Sequence, residues 1–198
     1  METNKCRTCR KFGEKLFLKG ERCSSVKCEI VKRNFGPGAH GGARRGKKSE
    51  YGLQLQEKQK AKAEYGMREK QFALTFEKAA KSKEATGEAL LMILETRLDN
   101  VVYRLGWAGS RSQARQLVNH GHIKVNSKSV DIPSYIVSID DVIEPADNEL
   151  IKKTMVEKPI VPGWLKAKGM KAEISKLPTR EEIETSIEEQ LVVEFYSR

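Results

Sequence analysis

Four cysteines lie within the first 28 residues, spaced as Cys6-x2-Cys9, thirteen intervening residues, then Cys23-x4-Cys28. Two short-spaced pairs joined by a loop can bring four thiolates to one point, the ligand set of a tetrahedral structural zinc ion. Lys5, Arg7, Arg10, Lys11, Arg22 and Lys27 crowd them, which favours the thiolate form that a metal requires. Beyond Phe12, Leu16, Phe17 and Leu18 the segment has few apolar groups, so a metal staple is its expected source of stability. An iron–sulfur cluster is the lesser alternative. A disulfide framework and free thiols are the others, and disulfides are disfavoured in a reducing cytosol. Four thiolates on one ion leave no position open for catalysis.

The stretch FGPGAHGGARRGKK, residues 35–48, holds five glycines and four bases, Arg44, Arg45, Lys47 and Lys48. Its GGARRGK core has the glycine and lysine spacing of a phosphate-binding nucleotide loop. That loop needs a preceding strand and a Ser or Thr directly after the lysine to hold Mg²⁺. Here Lys48 follows Lys47, Ser49 comes one place late, and Pro37-Gly38 breaks the chain where the strand should be. A loop laid along a nucleic-acid backbone fits better, because glycine permits close approach and the four cations neutralise phosphates. A plain flexible linker is the alternative.

Several elements must position these groups. Residues 51–83 read as helical with a stop at Gly66, and Phe72, Phe76, Ala79 and Ala80 form a core stripe. The balanced charges there, Lys58, Lys60 and Lys62 among them, read as solvated faces. Thr86-Gly87-Glu88 opens a helix expected to run to Gly106, with Leu91, Leu94, Leu98, Val101, Val102 and Leu105 on one side. Arg97, Asn100 and Arg104 fall along its edge, since seven residues make nearly two turns. Ser110 and Gln113 make a capping box for a helix over 111–119 that buries Ala114, Leu117 and Val118. Short strands are predicted around an Asn126-Ser127 turn.

Charge is segregated along the chain. Residues 1–48 carry 14 Lys/Arg against 4 Asp/Glu, which accounts for the whole net charge of +10. A second excess runs from Arg97 to Lys128, with six bases, one acid and two histidines. Such segregation is the footprint of a polyanion partner. No run of about 18 apolar residues is present to cross a membrane. The first residues, METNKCRTCRKFGEK, lack a secretory signal's apolar core, so an intracellular location is expected.

The segment TRLDNVVYRLGWAGSRSQARQLVNHGHIKVNSKSVDIPSYIV closely resembles the S-four RNA-binding domain. GPGAHGGARRGKKSEYGLQLQEKQKAKAEYGMREKQF and EEQLVVEFYSR extend the resemblance to the S-four family of small-subunit ribosomal proteins. The cysteine head is similar to the zinc-containing version found in some bacterial members. The chain departs from the family pattern in its short start, Met1-Glu2-Thr3, and in Ser127, which stands where a glycine follows the asparagine of the turn. A turn other than type I′ is therefore expected there.

The resemblance implies a mainly α fold with small β elements (α+β): a zinc-stapled helical domain carrying an inserted S-four RNA-binding domain. The expected parts are a basic head and glycine-rich arm at 1–48, a helical domain at 49–93 completed by 156–198, and the S-four domain at 94–155. It implies a structural constituent of the small ribosomal subunit in the cytoplasm. Such a protein binds the 5′ domain of small-subunit rRNA early in assembly, borders the path by which mRNA enters, and packs against ribosomal protein S-five, which influences translational accuracy. No membrane and no small-molecule substrate is expected. RNA contacts carried over by position fall on Arg44, Arg45, Lys47, Lys48, Tyr51, Lys58, Arg97, Asn100, Arg111, Gln113, Arg115, His120, His122 and Lys124. The acidic end, with Glu181, Glu182, Glu184, Glu188 and Glu189, suits a protein neighbour such as S-five, or is simply a solvated face.

Two rival readings remain. S-four domains also occur on pseudouridine synthases, whose H-R-L-D motif Thr96-Arg97-Leu98-Asp99 approaches, but Thr replaces His and no catalytic set surrounds it. Asp99 is better read as capping or pairing with a neighbouring base, and no enzyme is expected. A zinc-bearing RNA-binding regulator outside the ribosome is the other.

Overall fold

In the computed structural model, the structure describes residues 5–42, 46–156 and 159–198. In chain order the helices and strands begin with α1 (Lys5–Phe12), α2 (Glu21–Ser24), α3 (Glu29–Lys32), α4 (Glu50–Glu64), α5 (Glu69–Ala80) and α6 (Thr86–Glu95). Then come α7 (Leu98–Arg104), α8 (Arg111–Asn119), β1 (Ile123–Val125), β2 (Lys128–Ser129), β3 (Val142–Pro145) and α9 (Asn148–Thr154). Last are β4 (Leu165–Lys168), β5 (Lys171–Ile174), a 3-10 turn (Arg180–Glu182) and α10 (Glu189–Tyr196). The chain divides into two compact units, Met1–Phe72 with Ile187–Arg198, and Ala73–Ser186.

The first unit has a small apolar core of Cys9, Phe12 and Leu16, with Leu18, Ile30 and Ala63 packed against it. α4 is covered by α1 and α10, and this overturns the solvated reading of its charges. Lys58 and Lys60 are only 6% and 2% exposed. Their alkyl stems pack while their ammonium heads find carboxylates. Lys60 bonds Glu57 at 2.8 Å and Glu14 at 3.3 Å. Burial opposes the charge on Lys60, yet these two carboxylates hold its pKa above the ordinary lysine value. The head of Lys58 meets Glu69 at 2.5 Å and stands 4.4 Å from the centre of the Phe195 ring of α10.

The second unit is built on an antiparallel five-stranded sheet in the order β2-β1-β3-β5-β4. Alternation puts Ile123, Val125, Ile143, Ala172 and Ile174 into a core shared with α7, α8 and Trp164. The hairpin β4–β5 joins this sheet through Val142↔Glu173 and Ile143↔Ala172. Residues through Ser186 therefore belong with the inserted domain, and only Ile187–Arg198 completes the helical one. That moves the boundaries expected at 94, 155 and 156. α6 likewise falls within the second unit.

Two local expectations are corrected. The helix from Thr86 breaks at Thr96-Arg97, where Arg97 is extended (φ −69°, ψ 138°) and forms a β-bridge with Ile136. Thr96 Oγ1 bonds back to the Met92 carbonyl at 2.9 Å, and the freed amides of Leu98 and Asp99 donate to the carbonyls of Tyr135 and Pro133. At the β1–β2 turn, Asn126 and Ser127 both have positive φ (50° and 65°) between the paired Val125 and Lys128, the signature of a type I′ turn. Asn126 imposes it: its amide donates to Asp141 Oδ1 at 2.7 Å and its carbonyl accepts from the Val142 amide at 2.9 Å. Ser127 tolerates a left-handed conformation that glycine adopts freely. Ser127→Gly is expected to stabilise the chain by about 0.5–1 kcal/mol in urea denaturation, the relieved strain exceeding glycine's entropy in the unfolded state.

Candidate nucleic-acid interface

The break at Thr96-Arg97 aims the start of α7 at α8 and gathers four arginines on two carboxylates. Glu95, the last residue of α6, is 1% exposed. Arg104 grips it twice, Nε and Nη2 each 2.9 Å from its oxygens, and Asn100 Nδ2 donates to it at 2.9 Å. Asn100 Oδ1 in turn accepts from Arg111 Nε at 2.8 Å, and the Arg111 guanidinium lies 4.7 Å from the centre of the Tyr103 ring. Asp99 accepts from both Nε (3.0 Å) and Nη2 (2.7 Å) of Arg97, with Arg115 Nη1 at 3.7 Å. Fork-to-carboxylate pairing of this kind fixes orientation as well as charge. Four arginines against two acids leave a positive surplus of about two on this face.

The network sorts the expected contacts. Arg97 (3% exposed) and Asn100 (1%) are buried and turned inward, so they support the face and do not present themselves. Lys58 is likewise spent inside the first unit. Arg111 and Arg115 remain partly accessible, Arg115 the more so. The Gln113 side chain accepts from the Gly109 amide at 3.0 Å while the Ser110 hydroxyl accepts from the Gln113 amide at 3.4 Å, so Gln113 serves as part of the helix cap. His120 is exposed and His122 half-buried, their rings 6.0 Å apart at the end of α8. Lys124 points outward from β1, opposite Glu144. Glu95 and Arg104 are the members that the positional carry-over missed. The readable signal was an acid closing the apolar run Ala89–Leu94, nine residues before an arginine.

In the first unit Lys47 and Lys48 are exposed, and Lys48 donates to Gln56. Tyr51 is half-exposed against Phe195, with Arg198 over its ring. Arg44 and Arg45 lie outside the described residues. The glycine-rich stretch is neither a straight arm nor a slack linker over residues 36–41. Gly36 and Gly41 close a turn (N···O 3.1 Å), and Arg10 anchors it by donating to the carbonyls of Phe35 and Gly36, both at 3.0 Å. A Cβ on Gly41 would stand 1.9 Å from the Gly36 carbonyl oxygen, which is why glycine is needed there.

Cys6, Cys9, Cys23 and Cys28 line one small cavity together with Leu18 and Ile30, and none is in a disulfide. The Lys19 amide donates to Cys23 Sγ at 3.3 Å. Burial pushes the Cys9 thiol above its ordinary value, the Leu16 amide opposes this, and the other three sulfurs add to it. At Cys9, burial therefore favours the thiol, against the thiolate preference expected from the nearby bases. Among the described residues no group of three or more Cys, His, Asp or Glu side chains stands in a metal-holding arrangement.

The family model described as "Ribosomal protein S4/S9 N-terminal domain" matches residues 1–95, and that described as "S4 domain" matches residues 96–143. The chain belongs to the ribosomal S-four family. It is 54% identical to small ribosomal subunit protein uS4 of Dictyoglomus turgidum, over 98% of this chain and 96% of that one. It is 53% identical to uS4 of Koribacter versatilis and 52% identical to uS4 of Thermodesulfovibrio yellowstonii, with the same coverage of each chain. The S-four model spans α7, α8 and the first strands, so the arginine network starts one residue before its boundary, at Glu95.

Glu95→Gln removes the charge that Arg104 grips while keeping the side-chain shape. It is expected to destabilise the chain by about 3 kcal/mol, because the partly buried guanidinium of Arg104 loses the buried carboxylate that pairs it. Urea denaturation followed by circular dichroism measures this, and a change below about 0.5 kcal/mol would show that the carboxylate is not what holds the network.

Proposed function

We propose that this chain is a structural component of the small ribosomal subunit that binds rRNA. The observation that carries the reading is full-length similarity to proteins named small ribosomal subunit protein uS4. The arginine face supplies the chemistry. Arg111 and Arg115 are held by buried partners before RNA arrives, so little side-chain freedom remains to be lost on binding. Their guanidinium groups suit phosphate oxygens, which positions the protein on an RNA fold without reading base sequence. The relatives are ribosomal proteins and not enzymes, and a place in the small subunit puts the chain in the cytoplasm.

The finer reading is that it binds the 5′ domain of small-subunit rRNA at an early stage and nucleates assembly of the subunit body there. Within that reading Arg44, Arg45, Lys47, Lys48, Tyr51, Arg111, Arg115, His120, His122 and Lys124 are the groups offered to RNA. Glu181, Glu184 and Glu188 are exposed acids unsuited to RNA, which supports a protein neighbour such as S-five and a contribution to translational accuracy. A position beside the path by which mRNA enters belongs to the same proposal.

A structural zinc ion belongs to it as well, with Cys6, Cys9, Cys23 and Cys28 as its ligands. The four sulfurs share one cavity and two of them accept backbone amides, as second-shell donors to metal-bound thiolates do. When bound, the ion would cross-link α1 to the segments carrying Cys23 and Cys28, adding stability that the small apolar core cannot. Elemental analysis of the purified chain is expected to give about one zinc per molecule. Iron with a brown chromophore would decide for a cluster, and absence of both would overturn the site.

Affinity for small-subunit rRNA is expected to fall about a thousandfold or more between roughly 50 and 200 mM salt, the loss due to about 6–10 phosphate contacts. A flat salt response in filter binding would overturn the electrostatic mechanism. Failure to sediment with small subunits at moderate salt would overturn the ribosomal assignment.

A further inference from the structure

The second unit carries one stretch whose character is opposite to its arginine face. Residues 129–151 contain no Lys or Arg, against six acids, Asp131, Asp140, Asp141, Glu144, Asp147 and Glu149. Within that stretch four apolar side chains stand exposed in eight residues: Ile132, Tyr135, Ile136 and Ile139. A single exposed apolar residue is ordinary, whereas a group this close marks an interaction surface.

The segment is held from beneath. Pro133 and Val137 are buried, and the carbonyls of Pro133 and Tyr135 accept from the Asp99 and Leu98 amides at 3.1 and 2.8 Å. The Val137 amide donates to the Thr96 carbonyl at 3.0 Å, beside the bridge between Arg97 and Ile136. Tight turns fix the rest: the Tyr135 amide donates to the Ile132 carbonyl at 3.0 Å, and the Asp141 amide to the Ser138 carbonyl at 3.2 Å. The backbone that presents the four side chains is thus already ordered when a ligand arrives. Of the acids, Asp141 is spent on Asn126 and on the Ser138 amide, and Glu144 on Lys171 at 2.9 Å. Asp131 and Asp140, which bracket the apolar group, are exposed and in no ion pair among the described residues.

We propose that this surface docks a basic segment of another protein, whose apolar side chains cover Ile132, Tyr135, Ile136 and Ile139 while its Lys or Arg residues meet Asp131 and Asp140. Charge complementarity selects that occupant, since an RNA strand would bring phosphates against the two carboxylates. The surface adjoins the arginine network, because Asp99, which holds Arg97 and Arg115 by its side chain, donates its amide to Pro133. A basic partner would therefore lie beside the RNA that Arg115 holds and would continue onto its phosphates. The surface rests on the rRNA-binding reading above and uses none of the acids assigned there to a protein neighbour.

The test places the photo-cross-linker p-benzoylphenylalanine in place of Ile136, and in a second variant in place of Ile139, of the full chain. Each is assembled with small-subunit rRNA and purified small-subunit proteins, irradiated, and its cross-link identified by mass spectrometry. The expected product is a protein segment with Lys or Arg residues beside apolar ones. Adding Asp131→Asn with Asp140→Asn is expected to lower the yield about fivefold, as the loss of two exposed ion pairs would, with affinity for rRNA unchanged. Asparagine keeps the shape of both side chains and tolerates the left-handed backbone at Asp140 (φ 67°). A cross-link to rRNA, with rRNA affinity raised by the asparagine variant, overturns the docking surface. So does a cross-link to a second copy of this chain, or none in assembled subunits, or a yield that the asparagine variant leaves unchanged. If the unmodified chain does not assemble on rRNA, the rRNA-binding reading falls and this surface with it.

Discussion

A single carboxylate, that of Glu95, takes four nitrogen donors or near neighbours from three side chains while almost wholly removed from water. Desolvating it carries a penalty of several kcal/mol, recovered only because Arg104 and Asn100 meet it with good geometry. Half of the α7–α8 face follows from that constraint, and Asp99 holds the other half through Arg97 and Arg115. Asn100 can orient Arg111 only while its own amide is held by Glu95, and Arg111 reaches the Tyr103 ring only from that orientation. The basic face is thus presented by acids hidden behind it. A surface of unsupported arginines would carry more net charge but would have to be ordered each time it met a ligand.

The first unit buries cations instead, with Glu57 drawn in beside Lys60 and other acids left nearer the surface. Lys58 and Lys60 enter the packing between helices, and their carboxylate partners Glu69 and Glu14 sit about half exposed. Lysine suits this role because its long stem fills apolar space and its compact head can rest on an aromatic ring. α4 therefore behaves as a core helix while its composition reads as a surface one.

Local features were legible in sequence wherever local physics decides them. The capping role of Ser110 and the buried triplet Ala114, Leu117 and Val118 depend only on helix geometry and appear as read. The break at Thr96-Arg97 was hidden because Leu94, Leu98 and Val101 keep helical phase across it. What ends the helix is a strand-like contact with residues 133–137, nearly forty residues on. Arg97, Asn100 and Lys58 looked like RNA contacts by position and charge. Their burial depends on Asp99, Glu95 and α10, and no spacing rule announces those partners. Ser127 appeared to exclude a type I′ turn, yet two bonds from Asn126 override the intrinsic preference. The cysteine spacing did bring four sulfurs to one cavity, whereas the thiolate preference inferred from nearby bases yielded to burial at Cys9.

The cover that α10 places over α4 also has a consequence in time. A ribosome making this chain releases α4 early and α10 only after the entire second unit has emerged. The second unit has its own sheet and core and can close as soon as Ser186 is out. The first unit must wait, with Lys58 and Gln54 still lacking Phe195 and Glu194 of α10. Its folding is thereby coupled to the arrival of α10, and a chain interrupted before that helix would leave one side of α4 uncovered, a state open to proteases.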